Sequence, residues 1–492
     1  MQLNDRFARV SALRSAVRRA QPVHAEARGD APASADELTR LLGATCARNH
    51  YGEHLQMRQW FAEPAECGAP NGALELLLPR ERGPLKAGPN SAAEAERRGG
   101  IKTRPYSLAA DPCKWLFLDT ETTGLAGGTG TYAFLVGVAW WEAGGLQVEQ
   151  FFMRDYTEEH SLLEALAERL RERPVLVTFN GKAFDWPLLE TRYRMTRTIA
   201  APEPVAHLDL LHPARALWRL RIGSVRLAEI ERQVLSQNGA LAWSRAADIR
   251  SEMIPDIYFQ FLRGGSPELL VDVLRHNVMD LRGLAMLAGR VIALLNDPAA
   301  AEADGHEWFG VSRMVRRRAP EQTSRARELF ERSREAGLPE SLDLAALREL
   351  AVLARRERDH ARAALLWEEL VGQTSRSVPD ESTQMAHEVP GSHNLGAATS
   401  ALPLAQRTGV DACPTLLVEA YEQLAIHAER RLREPARALA LTRDALAAIR
   451  AASHFGLIDS ARIQRLRDRL ERRHRRLVDV ISETTGKTHL AR

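Results

Sequence analysis

Hydrophobic and polar residues alternate between about residues 111 and 297 in the pattern of a mixed α/β domain. Three apolar runs separated by short turn signals predict antiparallel strands: WLFLD, TYAFLVGVAWW and LQVEQFFM. A segment of helical periodicity, EEHSLLEALAERLRE, follows them, and two later runs, PVLVTF and AHLDLL, predict further strands. Because helices separate these later strands, the prediction is a mixed sheet, three antiparallel strands then parallel strands, flanked by helices.

Beyond this domain the pattern becomes wholly helical. We predict a basic linker (298–320), an all-α domain (321–480) and a tail (481–492). Two segments, ALRELAVLARRERDHARAALLWEEL and YEQLAIHAERRLREPARALALTRDAL, place small and apolar residues as a tetratricopeptide hairpin does. Because fewer than three repeats seldom stand alone, this unit is expected to dock on the preceding domain or to include Arg325 to Leu338 as another hairpin.

The first 110 residues show little sustained periodicity and are predicted to be poorly defined and partly flexible. One island, NHYGEHLQMRQWFAEPAEC, carries aromatic residues that could pack against the next domain. His50 and His54 in it stand four apart, which on a helix would place both on one face. Gly52 weakens such a helix and no HExxH motif is present, so ordinary polar positions are favoured over a metal site.

Composition narrows the class of protein. The 492 residues are 45% hydrophobic and 27% charged, with a formal net charge of +3, which is typical of a globular chain of two or three units. No apolar run is long enough to cross a membrane and the N-terminus does not read as a secretory signal, so the expected location is cytoplasmic. The four cysteines lie far apart without a CxxC pair, which argues against a disulfide framework and a zinc ribbon.

A pair of carboxylates ends the first predicted strand. Asp119 and Glu121 stand two apart, so the alternation of an extended chain sends both to one side and Thr120 to the other. Two acids in a buried position are costly unless a cation compensates, and a divalent metal ion is the simplest such cation. The alternative is a strand-end pair exposed to water.

Three further residues can complete an acidic site. Asp185 follows another predicted strand at the mouth of a helix, where it is either a ligand or a helix cap. His276 and Asp280 stand four apart on a predicted helix and share one face, although alone they would be a surface pair. Four carboxylates near one point suit Mg²⁺ or Mn²⁺.

These motifs resemble the DEDD exonuclease superfamily, and most closely the YprB-type ribonuclease-H-like proteins with a C-terminal tetratricopeptide region. LDTETTGLAGGTGTYAFLVG resembles the first exonuclease motif and its glycine-rich hairpin, TFNGKAFDWPLLETRY the second and RHNVMDLRGLAML the third. The resemblance covers most of residues 111–297 and implies a ribonuclease-H-like exonuclease domain. One departure concerns His276, which precedes Asp280 by four residues, the spacing of the tyrosine subclass, whereas a histidine base commonly precedes the acid by five.

The resemblance also implies roles for individual residues. The metal ligands it implies for two ions of Mg²⁺ or Mn²⁺ are Asp119, Glu121, Asp185 and Asp280. His276 would be the general base of two-metal phosphodiester hydrolysis. The residues expected near the terminal nucleotide are Thr122, Gly124, Asn180 and Phe184. For Gly124 and the glycines after it the alternative is a plain hairpin turn, and for Phe184 a packed position is favoured.

The function implied is that of a 3′–5′ exonuclease, a hydrolase acting on single-stranded DNA or RNA. Endonuclease action, a non-catalytic nucleic-acid-binding module and a protein-interaction scaffold that binds a partner through the helical tail remain as alternatives. Arginines at Arg313, from Arg316 to Arg318 and between Arg462 and Arg476 form either a solvated face or a surface for nucleic-acid phosphates.

Overall fold

The computed structural model of the protein describes residues 35–62, 69–78, 104–124, 130–142, 144–236, 245, 248–376, 412–454 and 460–490. The first part of the chain forms a seven-stranded sheet with helices on both faces, and the part after it is helical. This architecture confirms the prediction of a mixed α/β sheet followed by an all-α region.

The sheet has strands that run in both directions. They are β1 (Thr45–Asn49), β2 (Gly52–Phe61), β3 (Trp115–Thr122), β4 (Ala133–Glu142), β5 (Gly145–Phe152), β6 (Val175–Thr178) and β7 (Ala206–Asp209). Their order is β1-β2-β5-β4-β3-β6-β7. Short connections make β3, β4 and β5 antiparallel neighbours, whereas intervening helices make β6 and β7 parallel to β3. The five strands predicted from the sequence are therefore confirmed.

Helices cover both faces of this sheet. They are α1 (Ala35–Leu42), α2 (Asn71–Leu77), α3 (Arg104–Ala109), α4 (Glu159–Glu172), α5 (Asp185–Thr196), α6 (Leu211–Ile222), α7 (Leu227–Ile230), α8 (Ile254–Leu262) and α9 (Glu268–Asn296). One core joins Phe117 of β3 to α6 and the second half of α9, and the other joins Leu118 to α4, α5, α8 and the first turns of α9. Because α9 enters both cores, its middle turns are held beside the sheet.

Strands β1 and β2 come from the region before residue 111, and the sequence analysis did not predict them. β2 pairs with β5 from Leu55 opposite Phe152 to Phe61 opposite Leu146, which extends the sheet beyond the strands of the middle domain. His54 lies in β2 rather than on a helix, is 2% exposed, and its Nδ1 stands 2.8 Å from the hydroxyl of Ser161. This agrees with the polar role favoured for His54, and it shows that the folded unit includes residues before 111.

The sheet domain is followed by further helices, and the first of these packs directly on it. They are α10 (Gly305–Arg318), α11 (Thr323–Glu335), α12 (Glu340–Arg356), α13 (His360–Arg376), α14 (Ala412–His427), α15 (Pro435–His454) and α16 (Ser460–Leu490). Most of the stretch expected to be a basic linker, 298–320, is α10, which buries Phe309 and Val315 in the same core as α6. The arginines that made the expected linker basic occupy only part of the helix surface.

The helical tail agrees with the predicted hairpins in its packing. The side chains predicted to pack are buried: Leu347, Leu350, Ala351, Ala354, Ala363, Trp367, Leu370, Ala425, Ala438 and Ala445. Arg325 to Leu338 contains the single helix α11 rather than a hairpin, and α16 continues through residues expected to be a tail. Tetratricopeptide character stays a prediction. Across the described ranges, no helix is long and apolar enough to cross a membrane.

Candidate active site

Asp119 and Glu121 lie at the C-terminal end of β3, an interior strand between β4 and β6. Their side chains share the face of Phe117, and Thr120 points to the opposite layer, as the alternation of an extended chain requires. Glu121 is only 9% exposed. The alternative of a strand-end pair exposed to water is therefore not what the fold forms.

Asp185 reaches the same end of β3 from the other layer. It is the first residue of α5, and its Oδ1 accepts a hydrogen bond of 2.5 Å from the hydroxyl of Thr120. The residue at the cap position is Phe184, whose side chain makes no capping hydrogen bond. Because side chains alternate along β3, Thr120 contacts Asp185 on one side of the sheet, while Asp119 and Glu121 lie on the other.

His276 and Asp280 approach from the middle of α9. His276 is 7% exposed, so the pair is not the surface pair that was the alternative. Its Nδ1 lies 2.8 Å from Oδ1 of Asp248, and its Nε2 lies 3.7 Å from Oδ2 of Asp280 and 3.4 Å from the hydroxyl of Ser251. Asp248 therefore fixes one ring nitrogen of the imidazole and leaves the other directed toward the acids.

The four predicted carboxylates influence one another's ionisation. Burial raises the pKa of Asp119, and the charges of Asp280 and Asp185 raise it further. Burial followed by the charges of Asp119, Asp280 and Asp185 raises the pKa of Glu121 well above its usual range. The pKa of Asp185 is also raised by burial, although the hydrogen bond from Thr120 opposes that rise. The fold therefore concentrates negative charge at one point.

Arg245 supplies positive charge at this point. Its guanidinium contacts Oδ1 of Asp280 at 2.5 Å, Oε2 of Glu231 at 2.5 Å and Oδ2 of Asp248 at 2.9 Å. Burial alone would lower the pKa of Arg245, but its hydrogen bond to Glu231 and the charge of Asp280 raise it. The sequence analysis missed Arg245, because an isolated arginine in AWSRAAD carries no periodic or motif signal.

The chemistry of the four predicted carboxylates fits a hard divalent cation, since all four are oxygen donors in a buried, electron-rich position. Three of them already accept hydrogen bonds from Asn277, Thr120 and Arg245. In the described part of the chain, no group of three or more histidine, cysteine, aspartate or glutamate side chains is arranged to hold a metal ion. The donor set therefore fits Mg²⁺ or Mn²⁺, and binding requires Asp280 to turn away from the guanidinium of Arg245.

Asn277 holds the orientation of Asp119. It is fully buried, its Nδ2 donates to Oδ2 of Asp119 at 2.7 Å, and its Oδ1 accepts from Nε2 of Gln150 at 2.8 Å. A Cβ at Gly137 would lie 2.0 Å from that Oδ1, so glycine is needed where α9 approaches β4. The motif RHNVMDLRGLAML contains Asn277, but no role was predicted for it; a polar residue on the same helix between two candidate site residues was the available signal.

Asp209, at the end of β7, anchors the loop that carries Asp185. Its carboxylate accepts the backbone N–H groups of Asn180 at 2.8 Å, Lys182 at 3.1 Å and Leu211 at 3.1 Å. Asn180 has φ of 70°, a left-handed conformation that asparagine tolerates better than most residues. No role was predicted for Asp209, although it is another acid within a predicted strand, AHLDLL.

Residues predicted to meet a terminal nucleotide lie around these acids. The hydroxyl of Thr122 donates to the carbonyl of Gly124 at 2.9 Å, which orders the backbone just after β3. Phe184 is 60% exposed, so the packed position favoured from sequence is wrong for this ring. Phe184 directly precedes the first residue of α5, and its exposure leaves the ring accessible from solvent. Gly127 and Gly128 lie outside the described residues.

Comparison with known proteins agrees with this architecture. The RNase H superfamily model matches residues 116–292, from β3 to α9. The domain formed by these residues is therefore ribonuclease-H-like.

The chain is similar to the uncharacterized protein YprB of Bacillus subtilis (strain 168), with 32% identity over 255 residues that cover 52% of this chain and 59% of YprB. It thus spans less than two thirds of the length of that relative. The family B DNA polymerase of the archaeon Pyrobaculum calidifontis matches 42% of this chain and 29% of its own chain at 16% identity, with a TM-score of 0.30.

Proposed function

We propose that the ribonuclease-H-like domain is a metal-dependent 3′–5′ exonuclease that hydrolyses single-stranded DNA or RNA. The observation that carries this proposal is that Asp119, Glu121 and Asp185 are buried beside Asp280, so that burial, and then the charge of Asp280 among others, raises the pKa of each. Such an arrangement is costly to fold unless cations offset it, and perturbed groups of this kind cluster at functional sites.

Asp119, Glu121, Asp185 and Asp280 would hold two Mg²⁺ or Mn²⁺ ions, which when bound would lower the pKa of a water molecule and stabilise charge on the scissile phosphate. His276 acts as the base. Because Nδ1 of His276 faces Asp248, its Nε2 keeps the lone pair that accepts a proton from the attacking water. Asn277 orients Asp119 through its 2.7 Å hydrogen bond.

Cleavage from the end of a nucleic-acid strand is supported by the exposed ring of Phe184. Aromatic rings stack on bases of any identity, so this ring can hold a terminal base without reading sequence. Thr122, Gly124 and Asn180 provide polar backbone and side-chain groups beside it, on the connections that follow β3 and β6. These contacts suit a flexible single strand better than a rigid duplex.

The test follows labelled single-stranded DNA and RNA with Mg²⁺ or Mn²⁺, comparing the wild-type chain with Asp119→Ala and with Asp444→Ala, which removes an exposed acid on α15. We expect stepwise shortening from the 3′ end, a block by a 3′-phosphate, and activity lost only in Asp119→Ala. Equal cleavage by the wild-type chain and Asp119→Ala would end the proposal. Cleavage of a circular strand would replace the exonuclease with an endonuclease.

A non-catalytic nucleic-acid-binding module is the second candidate. It is favoured by Arg245, which already neutralises Asp280, and by the lack of a preformed metal group among the residues described. This candidate expects strand binding without cleavage at millimolar Mn²⁺. A protein partner for the helical tail stays a prediction.

A further inference from the structure

A cleft lined by four arginines lies where α10 and α12 meet α6. It encloses about 450 Å³, and the side chains that matter here are Arg313, Arg316, Arg317, Arg348, Leu220 and Phe309. Phe309 is buried and Leu220 is 38% exposed, so the basic groups surround an apolar floor. We call this feature the arginine cleft. Except for Leu220, these residues lie outside the region that matches the RNase H superfamily.

The arginine cleft has more positive than negative charge. Glu349 is shared by Arg316 at 3.4 Å and Arg348 at 2.6 Å, and Arg348 also pairs with Glu419. Arg313 and Arg317 are exposed, and within the described ranges neither has an acidic partner within salt-bridge distance. The charge that these two arginines present is therefore available to an anion.

Helix α10 runs antiparallel to α6, which fixes where the arginine cleft lies relative to the acids. At the start of α10, Glu307 accepts a 2.8 Å hydrogen bond from the indole of Trp218, near the end of α6. Further along, a Cβ at Gly310 would lie 2.8 Å from Leu217 Cα. The last turns of α10 consequently point toward Leu211, which follows β7 at the end of the sheet that carries the acids.

Arg318, the last residue of α10, lies close to the catalytic end of the sheet. Burial lowers the pKa of Lys182, and the charge of Arg318 lowers it further against the opposing charge of Asp209. Lys182 stands three residues before Asp185 on the loop that Asp209 anchors. Arg313 and Arg317, four residues apart, are separated by about 6 Å of helix rise. Positive side chains thus follow α10 from Arg318, near the acidic site, to Arg317 and Arg313 in the arginine cleft.

We propose that the arginine cleft binds the phosphate backbone of the nucleic-acid strand whose 3′ end lies at the acidic site. This inference rests on the proposed function, because it assigns the rest of the same strand to a surface built by α6, α10 and α12. Guanidinium groups suit phosphate oxygens because they donate paired hydrogen bonds, and backbone contact needs charge without sequence reading. The apolar floor at Leu220 can receive a sugar or a base.

The experiment measures binding of a fluorescent 20-nucleotide DNA strand and a trinucleotide in EDTA, where no metal-dependent cleavage occurs. The variant Arg313→Gln with Arg317→Gln removes two exposed charges, and the matched control is Arg40→Gln with Arg48→Gln, on α1 and β1 far from β7 in the sheet order. Losing two phosphate contacts should make the slope of log K against log salt shallower by about 1.4 for a single strand. The control and trinucleotide binding should not change.

An unchanged slope in the Arg313 and Arg317 variant would overturn the arginine cleft as a strand-binding surface. A polyglutamate peptide that loses affinity in this variant, while the DNA strand does not, would also overturn it and assign the cleft to acidic peptides. The two proposals fail separately. A changed slope without any Mn²⁺-dependent cleavage keeps the cleft and removes the exonuclease, whereas cleavage with an unchanged slope does the reverse.

Discussion

Replacing Asn277 by alanine should weaken metal binding without unfolding the domain. The side chain is fully buried on α9, and its Nδ2 donates to Oδ2 of Asp119 at 2.7 Å. Hydrogen bonds to a charged group contribute about 1.5–3 kcal/mol, which corresponds to about 1–2 pKa units. Asn277 lowers the pKa of Asp119 against burial and against the charges of its neighbours. Its loss should therefore raise that pKa further.

A proton that binds Asp119 more tightly competes with a metal ion for the same carboxylate. Loss of a group that orients a ligand typically costs about 10–100-fold in metal affinity or activity. We expect a fall of this size in Mn²⁺ affinity, measured by titration calorimetry, and in kcat/KM on a single-stranded substrate. The matched control is Asn296→Ala, on the same helix, whose amide accepts from the backbone of Ala73 at 3.0 Å far from the acids. The reasoning would be refuted if the Asn277→Ala variant folded with a cooperative transition and kept the Mn²⁺ affinity of the wild-type chain.

Three other perturbations have definite outcomes. Burial lowers the pKa of His54 to about 4, so the folded state binds fewer protons than the unfolded state between about pH 4 and 6.5. The free energy of unfolding, measured with urea, should therefore fall by about 2 kcal/mol from pH 7 to pH 5. The fall should be much smaller in His54→Gln. Gly137→Ala should cost about 1–3 kcal/mol in thermal unfolding, and lower activity, because its Cβ would lie 2.0 Å from Oδ1 of Asn277. Arg245→Gln removes the guanidinium on Asp280 and should lower stability in EDTA by about 3 kcal/mol, with part of the loss restored by Mn²⁺. An equal loss for Arg245→Gln with and without Mn²⁺ would contradict the idea that metal and guanidinium compete.

The middle domain was predictable because its signals are local. Each of three apolar patterns predicts one element: WLFLD, PVLVTF and the long pattern of α9. An acid at the end of a buried strand has few possible environments. The domain boundary predicted near residue 297 also agrees with the C-terminal cap of α9 at Asp297. Alternation in β3 was enough to separate Thr120 from Asp119 and Glu121, although it could not show that Thr120 would contact Asp185.

What the sequence did not predict depends on contacts between distant residues. β2 is stabilised by pairing with β5 across about 90 positions and β1 by pairing with β2, and TCARN alone has no strand-like alternation. Arg245 acquires its role only because Glu231 and Asp280 fold against it. The exposure of Phe184 was not predicted, because an apolar residue beside a strand is usually packed. It results from the position of Phe184 directly before the first residue of α5.

The most direct test of the acidic site is a crystal structure of the wild-type chain soaked in Mn²⁺, with anomalous scattering used to locate the ions. We predict two Mn²⁺ peaks bounded by Asp119, Glu121, Asp185 and Asp280, with Asp280 turned away from Arg245. Crystals of Asp119→Ala should lose these peaks. A wild-type map without anomalous density at Asp119, with Arg245 still paired to Asp280, would contradict the account.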